Sequence, residues 1–403
     1  MRQSAVNGET SAVFAAAATG VGDTLYGMSR SFDAASGLPL SSEARRALDA
    51  ALEHGWADPT RLHRNGRVAR QLLDAARASV ATSLGALPQE VTFTSSGTAA
   101  LHQAVLGLAR GRRKVGGGVV ASVVEHSAVL RAADWAAEEP VLVPVDADAR
   151  VDLRALRKAV RAPGVALACV QHVNHEIGTI QPLEDAYELT SAAGVPLVVD
   201  ACASLGSMPP PSRWDVLAGS AHKWGGPAGV GVLVVRTGTR WRSPLPTDEA
   251  GRPAGFPNVP AAVAAATALE HATAALPQTR QSRQRLVTIL RERVPALAED
   301  VIPLGPAEER APHITCFTVL YADGEVLVSE LDRAGFAVGS GSACTADTRR
   351  PSHILAAMGA VTHGNLRLSL APDVTESDVG ALLAALPAAI RAARDAGATA
   401  AGA

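Results

Sequence analysis

Aromatic residues make up only 3% of the 403 positions, and there are only four cysteines, Cys169, Cys202, Cys316 and Cys344, far apart and without a Cys-x-x-Cys pair. Isolated thiols exclude a zinc ribbon and a disulfide framework and point to a reducing compartment. Charge of one sign is lacking too. With 37 Lys+Arg against 39 Asp+Glu the net charge is −2, and the basic excess that marks nucleic-acid binders is absent. No run of 18 strongly apolar residues occurs, and the alanine-rich stretch 11–20 is too short and too weakly apolar for a signal-peptide core. The expectation is a cytoplasmic protein with no membrane and no nucleic-acid partner. The chain has no internal repeat, and Pro209-Pro210-Pro211 reads as a turn before Trp214.

What is present is enough apolar material for a large core: 47% of residues are hydrophobic and 19% charged. A chain this long exceeds what one core serves, so a large domain with a smaller lobe is expected. Short apolar runs at 118–122, 140–145, 165–171, 195–200 and 230–235 read as buried strands, with helical stretches such as 41–54 and 152–162 among them. Such alternation predicts an α/β fold, a mostly parallel sheet covered by helices on both faces. From about Pro260 the texture changes to helical patterns at 261–275 and 278–294, a strand at 314–320 and a terminal helix near 376–396, which predicts a smaller α+β lobe. The expected division is a flexible segment 1–28, a large domain 29–259 whose first residues are free to join the small lobe, and a small domain 260–403.

Ligands of open α/β sheets bind beyond the carboxyl ends of the strands. Several such positions here carry chemically capable residues. Thr94-Ser95-Ser96-Gly97-Thr98 follows a strand and opens a helix, where backbone N–H groups can hold an anion or simply be capped. His126 follows strand 118–122, the segment His172 to Thr179 follows 165–171, and Asp200 ends 195–200. Each also has a plain structural reading. Ser220-Ala221-His222-Lys223, ahead of Trp224-Gly225-Gly226-Pro227, is the most suggestive, because a desolvated lysine amine is a nucleophile toward carbonyl carbon.

Taken in order, Gly97-Thr98, His126, Asn174, Asp200 and Ser220 to Lys223 resemble the pyridoxal-phosphate enzymes of aminotransferase class V. Within that class the chain resembles the cysteine desulfurases. Further matches are Phe32-Asp33-Ala34-Ala35, Asn174-His175-Glu176-Ile177-Gly178-Thr179-Ile180-Gln181-Pro182, Gly339-Ser340-Gly341-Ser342-Ala343-Cys344-Thr345, Pro351-Ser352-His353-Ile354-Leu355 and Asn365-Leu366-Arg367-Leu368-Ser369-Leu370. The resemblance covers about residues 31–370 and implies a fold-type I transferase, a homodimer, whose large domain binds pyridoxal 5'-phosphate. It implies Lys223 as the cofactor-linked lysine, His126 as the ring-stacking acid/base, and Asp200 as partner of the pyridine nitrogen. Gly97, Thr98, Ser220 and His222 would hold the phosphate; Asn174 would touch cofactor and substrate, and Arg367 the substrate carboxylate. Cys344, between small residues and close to Arg349 and Arg350, would take sulfur from L-cysteine as a persulfide and pass it to an acceptor protein.

The chain departs from the family pattern at several places. Ala203 stands where the family has a glutamine beneath the cofactor, Phe256 where it has a phosphate-binding threonine, and His175 where it has a second asparagine. The first two losses imply weaker cofactor retention. Three other readings stand beside the desulfurase. His172, His175 and Glu176 would make a poor metal site, lacking a further ligand; no metal is expected. A second class V reaction, such as selenocysteine or cystine C–S lysis, aminotransfer or epimerisation, would not require Cys344. A non-catalytic sulfur-transfer scaffold would need neither Lys223 nor Asp200.

Overall fold

The structure is a computed structural model that describes residues 30–247, 255–340 and 351–401. The expected flexible segment 1–28 and Cys344 lie outside these residues. In chain order the elements are β1 (Arg30–Ser31), α1 (Ser42–His54), α2 (Arg64–Leu84), β2 (Val91–Thr94), α3 (Gly97–Gly111), β3 (Gly118–Ser122), α4 (Ser127–Ala136), β4 (Val141–Val143), α5 (Leu153–Val160), β5 (Val165–Cys169), α6 (Leu183–Ala192), β6 (Leu197–Asp200), β7 (Val216–Ser220) and β8 (Gly231–Val235). There follow α7 (Val259–Arg293), β9 (Val301–Leu304), β10 (Ile314–Val319), α8 (Gly324–Arg333), β11 (Phe336–Ala337), α9 (His353–Ala357), β12 (Asn365–Ser369) and α10 (Glu376–Ala401). Polar caps fix where helices begin: Ser41 Oγ accepts from Ala44 N–H, Ser96 Oγ from Ala99 N–H, and both Arg154 and Ala155 N–H point at Asp152.

The main sheet has seven strands in the order β2-β8-β7-β6-β5-β3-β4. From β7 to β4 every pair is parallel; β8 runs antiparallel to both β7 and β2. Because successive side chains point to opposite faces, Val119 and Ala121 of β3 pack with α3 and α4, while Val120 packs with α2, α5, α6 and the first part of α7. Both faces of the sheet are therefore covered, and the expected α/β, mostly parallel architecture is what the chain adopts.

A second core is built on a three-stranded antiparallel sheet, β12-β10-β9. It gathers Phe32, the last part of α7, α8 and α10. The chain's first described residues belong here, since β1 pairs with β11 in parallel and Phe32 is fully buried in this core. The two helical stretches expected at 261–275 and 278–294 are one helix that passes through Pro277. An internal proline removes one backbone hydrogen bond and costs about 3 kcal/mol. Burial at both ends offsets that cost: Val259 to Leu269 sit in the large core, Leu286 to Leu290 in the small one. Among the described residues α7 is also the one helix apolar and long enough to cross a bilayer, but 56% of its apolar window is buried inside the molecule, as in a core helix.

Candidate active site

A cavity of about 300 Å³ opens at the carboxyl ends of the parallel strands. The turn after β2 brings Gly97 and Thr98 to it, the turn after β3 brings His126, and β6 ends there with Asp200. Ser220, His222 and Lys223 arrive from the end of β7, and Arg367 from the small lobe. Of the residues expected at a site, only Asn174 is absent from this wall among those the structure describes.

Lys223 is positioned by a one-turn 3-10 helix, Ala221–Lys223. The turn is pinned from behind: Trp224 N–H and Gly226 N–H both donate to Ala221 O, and Trp224 Nε1 donates to Ala265 O of α7 at 3.0 Å. Gly225, at φ 81, supplies the left-handed residue that this reversal needs. From the other side Leu38 N–H donates to His222 O, which ties the N-terminal segment to the lysine turn.

One end of the cavity is built for an anion. Ser96 takes the Ala99 and Ala100 N–H groups, so at the start of α3 it is Gly97 and Thr98 that sit at the cavity, at the partly positive end of the helix, which favours negative ligands. Beside them lies Ser220, bonded to His222 Nδ1 at 3.1 Å. A Cβ on Gly97 would stand 2.7 Å from Ser220 Cβ and 2.9 Å from Cys202 Sγ, so only glycine lets the helix start close on the end of β7. Burial lowers the pKa of His222, and Lys223 lowers it further.

Asp200 is held by the Cys202 N–H, which donates to its Oδ1 at 2.8 Å. Behind it is Glu125, wholly buried, whose Oε1 accepts from Gln171 N–H at 2.6 Å. Burial, with the Asp200 charge adding to it, pushes the Glu125 carboxyl well above the usual range. The Cys202 thiol also lines the cavity, and burial raises it well above its usual range.

The opposite wall carries two imidazoles. His126 caps α4 by accepting the Ala128 N–H at Nδ1, and its ring meets that of His175 edge-on, centroids 5.0 Å apart. Asn174 lies behind this wall, with Oδ1 accepting from Glu176 and Ile177 N–H and Nδ2 donating to Val124 O. Its part in the geometry is to form the turn that presents His175. Glu176 Oε2 in turn accepts from Ser352 Oγ at 2.6 Å, and burial brings the Glu176 carboxyl up to about 7. His172 points elsewhere, to Ser204 Oγ at 2.8 Å, and no cluster of three His, Cys, Asp or Glu suited to a metal occurs among the described residues.

Arg367, only 2% exposed, projects from β12 with Nη2 between Asp33 Oδ1 and Ser36 Oγ and Nη1 toward His175 O at 3.3 Å. Its Nε has no partner. Gly339, just before the segment with Cys344, exchanges both backbone hydrogen bonds with Arg367, and Ser352, just after it, holds Glu176. Gly339 is thus tied directly to a residue of the cavity wall, Arg367, and Ser352 to Glu176, the neighbour of a second one, His175. Sequence reasoning overlooked Ser36 and the Glu176–Ser352 bond. Ser36 could have been found from its place directly after Asp33-Ala34-Ala35; the bond joins residues 176 positions apart, and no local pattern announces it.

Fold and cavity together are those of an α/β protein whose lysine and carboxylate line one cavity at the strand ends, and residues 32–382 match the aminotransferase class-V family. The chain belongs to that family. Within it the relatives are narrower in kind: an IscS-like cysteine desulfurase of Mycobacterium tuberculosis is 36% identical over 391 residues, covering 92% of this chain and 98% of its own. A cysteine desulfurase of Cereibacter sphaeroides is 35% identical, covering 86% and 92%. A solved NifS-like protein superposes with a TM-score of 0.84 at 27% identity, over 90% of this chain and all of its own. The chain is a member of the cysteine desulfurase family.

Proposed function

We propose that this enzyme is a pyridoxal 5'-phosphate-dependent cysteine desulfurase that converts L-cysteine to L-alanine and leaves the sulfur as a persulfide on Cys344 for an acceptor protein. The observation that carries the reading is the convergence of Lys223, Asp200, His126 and the start of α3 on one cavity, in a chain similar to cysteine desulfurases over most of its length. The donor set suits pyridoxal phosphate. An amine is available for the aldehyde, a carboxylate for the pyridine nitrogen, an imidazole for the ring face, and hydroxyls and N–H groups for the phosphate. When bound, the cofactor supplies an electron sink for charge developed at the substrate α-carbon.

The protein's own residues do the rest. Arg367 would attract the substrate carboxylate, Lys223 would hold the cofactor and move the α-proton, and Asp200 would keep a proton on the ring nitrogen. Atoms balance if the Cβ–S bond of L-cysteine breaks, an S–S bond forms on Cys344, and the Cβ of alanine gains one hydrogen. The small residues around Cys344 suit a thiol that must reach both cofactor and acceptor. A homodimer in the cytoplasm is part of the proposal, supported by the family and by four cysteines without pairing motifs. The test is to incubate the purified protein with L-cysteine and a reductant and to measure alanine and sulfide together. Equal yields support the reading; sulfide with pyruvate instead of alanine overturns it in favour of a lyase.

A further inference from the structure

After β6 ends on Asp200, the chain turns toward β7 through Ala203 and Ser207, with Ser204 N–H donating to Ala201 O at 3.1 Å and Met208 N–H to Ser204 O at 2.9 Å. Two buried side chains from elsewhere grip this turn. His313, just ahead of β10 and 4% exposed, meets Ala203 O with Nε2 at 2.9 Å, and since a carbonyl can only accept, Nε2 is the donor. Arg283 of α7, 1% exposed, donates from Nη1 to Ser207 Oγ at 3.1 Å and from Nη2 to Ser207 O at 3.4 Å. His313 O also accepts the N–H of Leu370, directly after β12, at 2.8 Å. One residue thus joins the strand that carries Arg367 to the turn that carries Asp200.

A second cavity, of about 10 Å³, lies among these groups. His313, Ser207 and Arg283 line it, and it shares Ala203 and Lys223 with the large cavity. Its size is that of one water, and a buried water needs two to four polar partners. They are present. With Nε2 donating, the neutral His313 ring keeps a lone pair on Nδ1, a buried atom without a partner among the described residues. Burial, reinforced by Arg283, lowers the ring to about 3, so it is neutral at pH 7. Ser207 Oγ accepts from Arg283 and still has its own hydrogen to give. A water that accepts from Ser207 and donates to His313 Nδ1 pairs both groups, whereas an acceptor buried unpaired destabilises the fold. The lone pair favours a water, which can donate, over an anion, which cannot.

We propose that His313 is a positioning residue for Asp200: with one buried water bridging its Nδ1 to Ser207 Oγ, it holds the turn that fixes the Asp200 carboxylate at the large cavity. The inference rests on the reading of that cavity as a pyridoxal phosphate site with Asp200 at the ring nitrogen. The line of contacts is short. Cys202 N–H fixes Asp200 Oδ1, and the next residue, Ala203, is the one whose carbonyl His313 grips. A turn held at Ala203 and again at Ser207 keeps that N–H, and the carboxylate on it, in one place. His313 reaches the chemistry only through Asp200, whose negative charge stabilises a proton on bound cofactor.

The experiment compares wild-type holoenzyme with His313→Leu, His313→Gln and Ser207→Ala, reading the pH at which the absorbance of bound cofactor titrates. Leucine can neither donate to Ala203 O nor accept from the water, whereas glutamine can do both. In His313→Leu the midpoint should fall by about half a pH unit or more, because a looser carboxylate stabilises the proton less. Its kcat should fall roughly tenfold, with KM for L-cysteine within a few-fold of wild type. His313→Gln should return both values toward wild type, and Ser207→Ala should lower the midpoint by less than His313→Leu does. A crystal structure of the wild-type holoenzyme should show one water within about 3.2 Å of both His313 Nδ1 and Ser207 Oγ. A wild-type midpoint in His313→Leu, a His313→Gln shifted as far as His313→Leu, or a structure without that water overturns the inference. Should His313→Leu fail to fold, Ser207→Ala decides, and an unshifted midpoint there overturns it. A wild type that binds the cofactor but makes no alanine overturns the desulfurase reading alone, because the titration needs only bound cofactor; one that binds no pyridoxal phosphate overturns both.

Discussion

Arg367 Nη2 lies 2.5 Å from Asp33 Oδ1, joining β12 of the small lobe to the first residues after β1. The guanidinium is almost fully buried and the carboxylate a quarter exposed, so the pair fixes the arginine fork at the cavity while Nε remains without a partner. A substrate carboxylate meets a cation whose direction is already set, which lowers the ordering cost of binding. Arg367→Lys keeps the charge but not the fork, and should raise KM for L-cysteine about tenfold or more. Asp33→Ala leaves the buried cation unpaired and should cost roughly 2 kcal/mol of stability, read by denaturant melts. An unchanged KM in Arg367→Lys would place the substrate carboxylate elsewhere.

Among the described residues Lys223 is the only lysine on the cavity wall. Lys223→Ala should yield a protein without the yellow colour of a lysine-bound cofactor and without alanine formation, while melting near the wild-type temperature. A borohydride-fixable cofactor adduct persisting in this variant would mean that another lysine carries it.

Two thiols compete for the role of sulfur carrier. Cys202 is buried beside Asp200 with its pKa pushed up, so it is a poor thiolate. Cys344→Ser should still change the cofactor spectrum with L-cysteine but form almost no alanine, whereas Cys202→Ala should keep most activity. Mass spectrometry of the wild type treated with cysteine and no reductant should find the extra sulfur on the peptide holding Cys344.

Gly97→Ala tests the anion end. The added methyl would meet Ser220 Cβ at 2.7 Å, so the start of α3 must move away from β7. The cofactor phosphate then loses part of its donor set, and affinity for pyridoxal phosphate should fall about tenfold or more, at roughly 1–2 kcal/mol per charge-assisted bond weakened. Equilibrium dialysis measures it. Wild-type retention would mean that the phosphate lies away from Gly97.

Acid stability follows from two buried histidines. Burial lowers His313 to about 3 and His172 to about 4, against an ordinary value of 6.5. Below 6.5 the unfolded chain binds protons that the folded one refuses, so their contribution is present above that pH and is lost as pH falls toward those values. Glu176, raised to about 7, acts in the opposite sense: its contribution is complete below 4.5 and is lost as pH rises through 7. His126, His175 and His222 are lowered too, and Glu125 and Asp215 are raised like Glu176; with five histidines against three carboxyls, the melting temperature should fall between pH 6.5 and 4.5. The slope should be shallower in His313→Gln; an equal slope would remove His313 from the account.

Much of this protein was legible in its sequence because the signals are local. Apolar runs marked five strands of the main sheet, and the residues after strands 118–122, 195–200 and 216–220 are the ones found at the cavity, since a strand that ends on the ligand side delivers its next residues there by geometry alone.

Relations between distant positions were decided only by the tertiary structure. Pro277 reads as a break, yet α7 passes through it, because two separate cores grip the helix on either side and outweigh a local penalty. Asn174 carries the family's motif, but its side chain is spent on its own turn, and His175, a departure from that motif, is what reaches the cavity. The links Arg367–Asp33 and Ser352–Glu176 close loops spanning much of the chain. A sequence pattern fixes which residues are buried and which follow a strand; only packing decides which hydrogen-bonding groups are consumed by the fold and which are left facing the substrate.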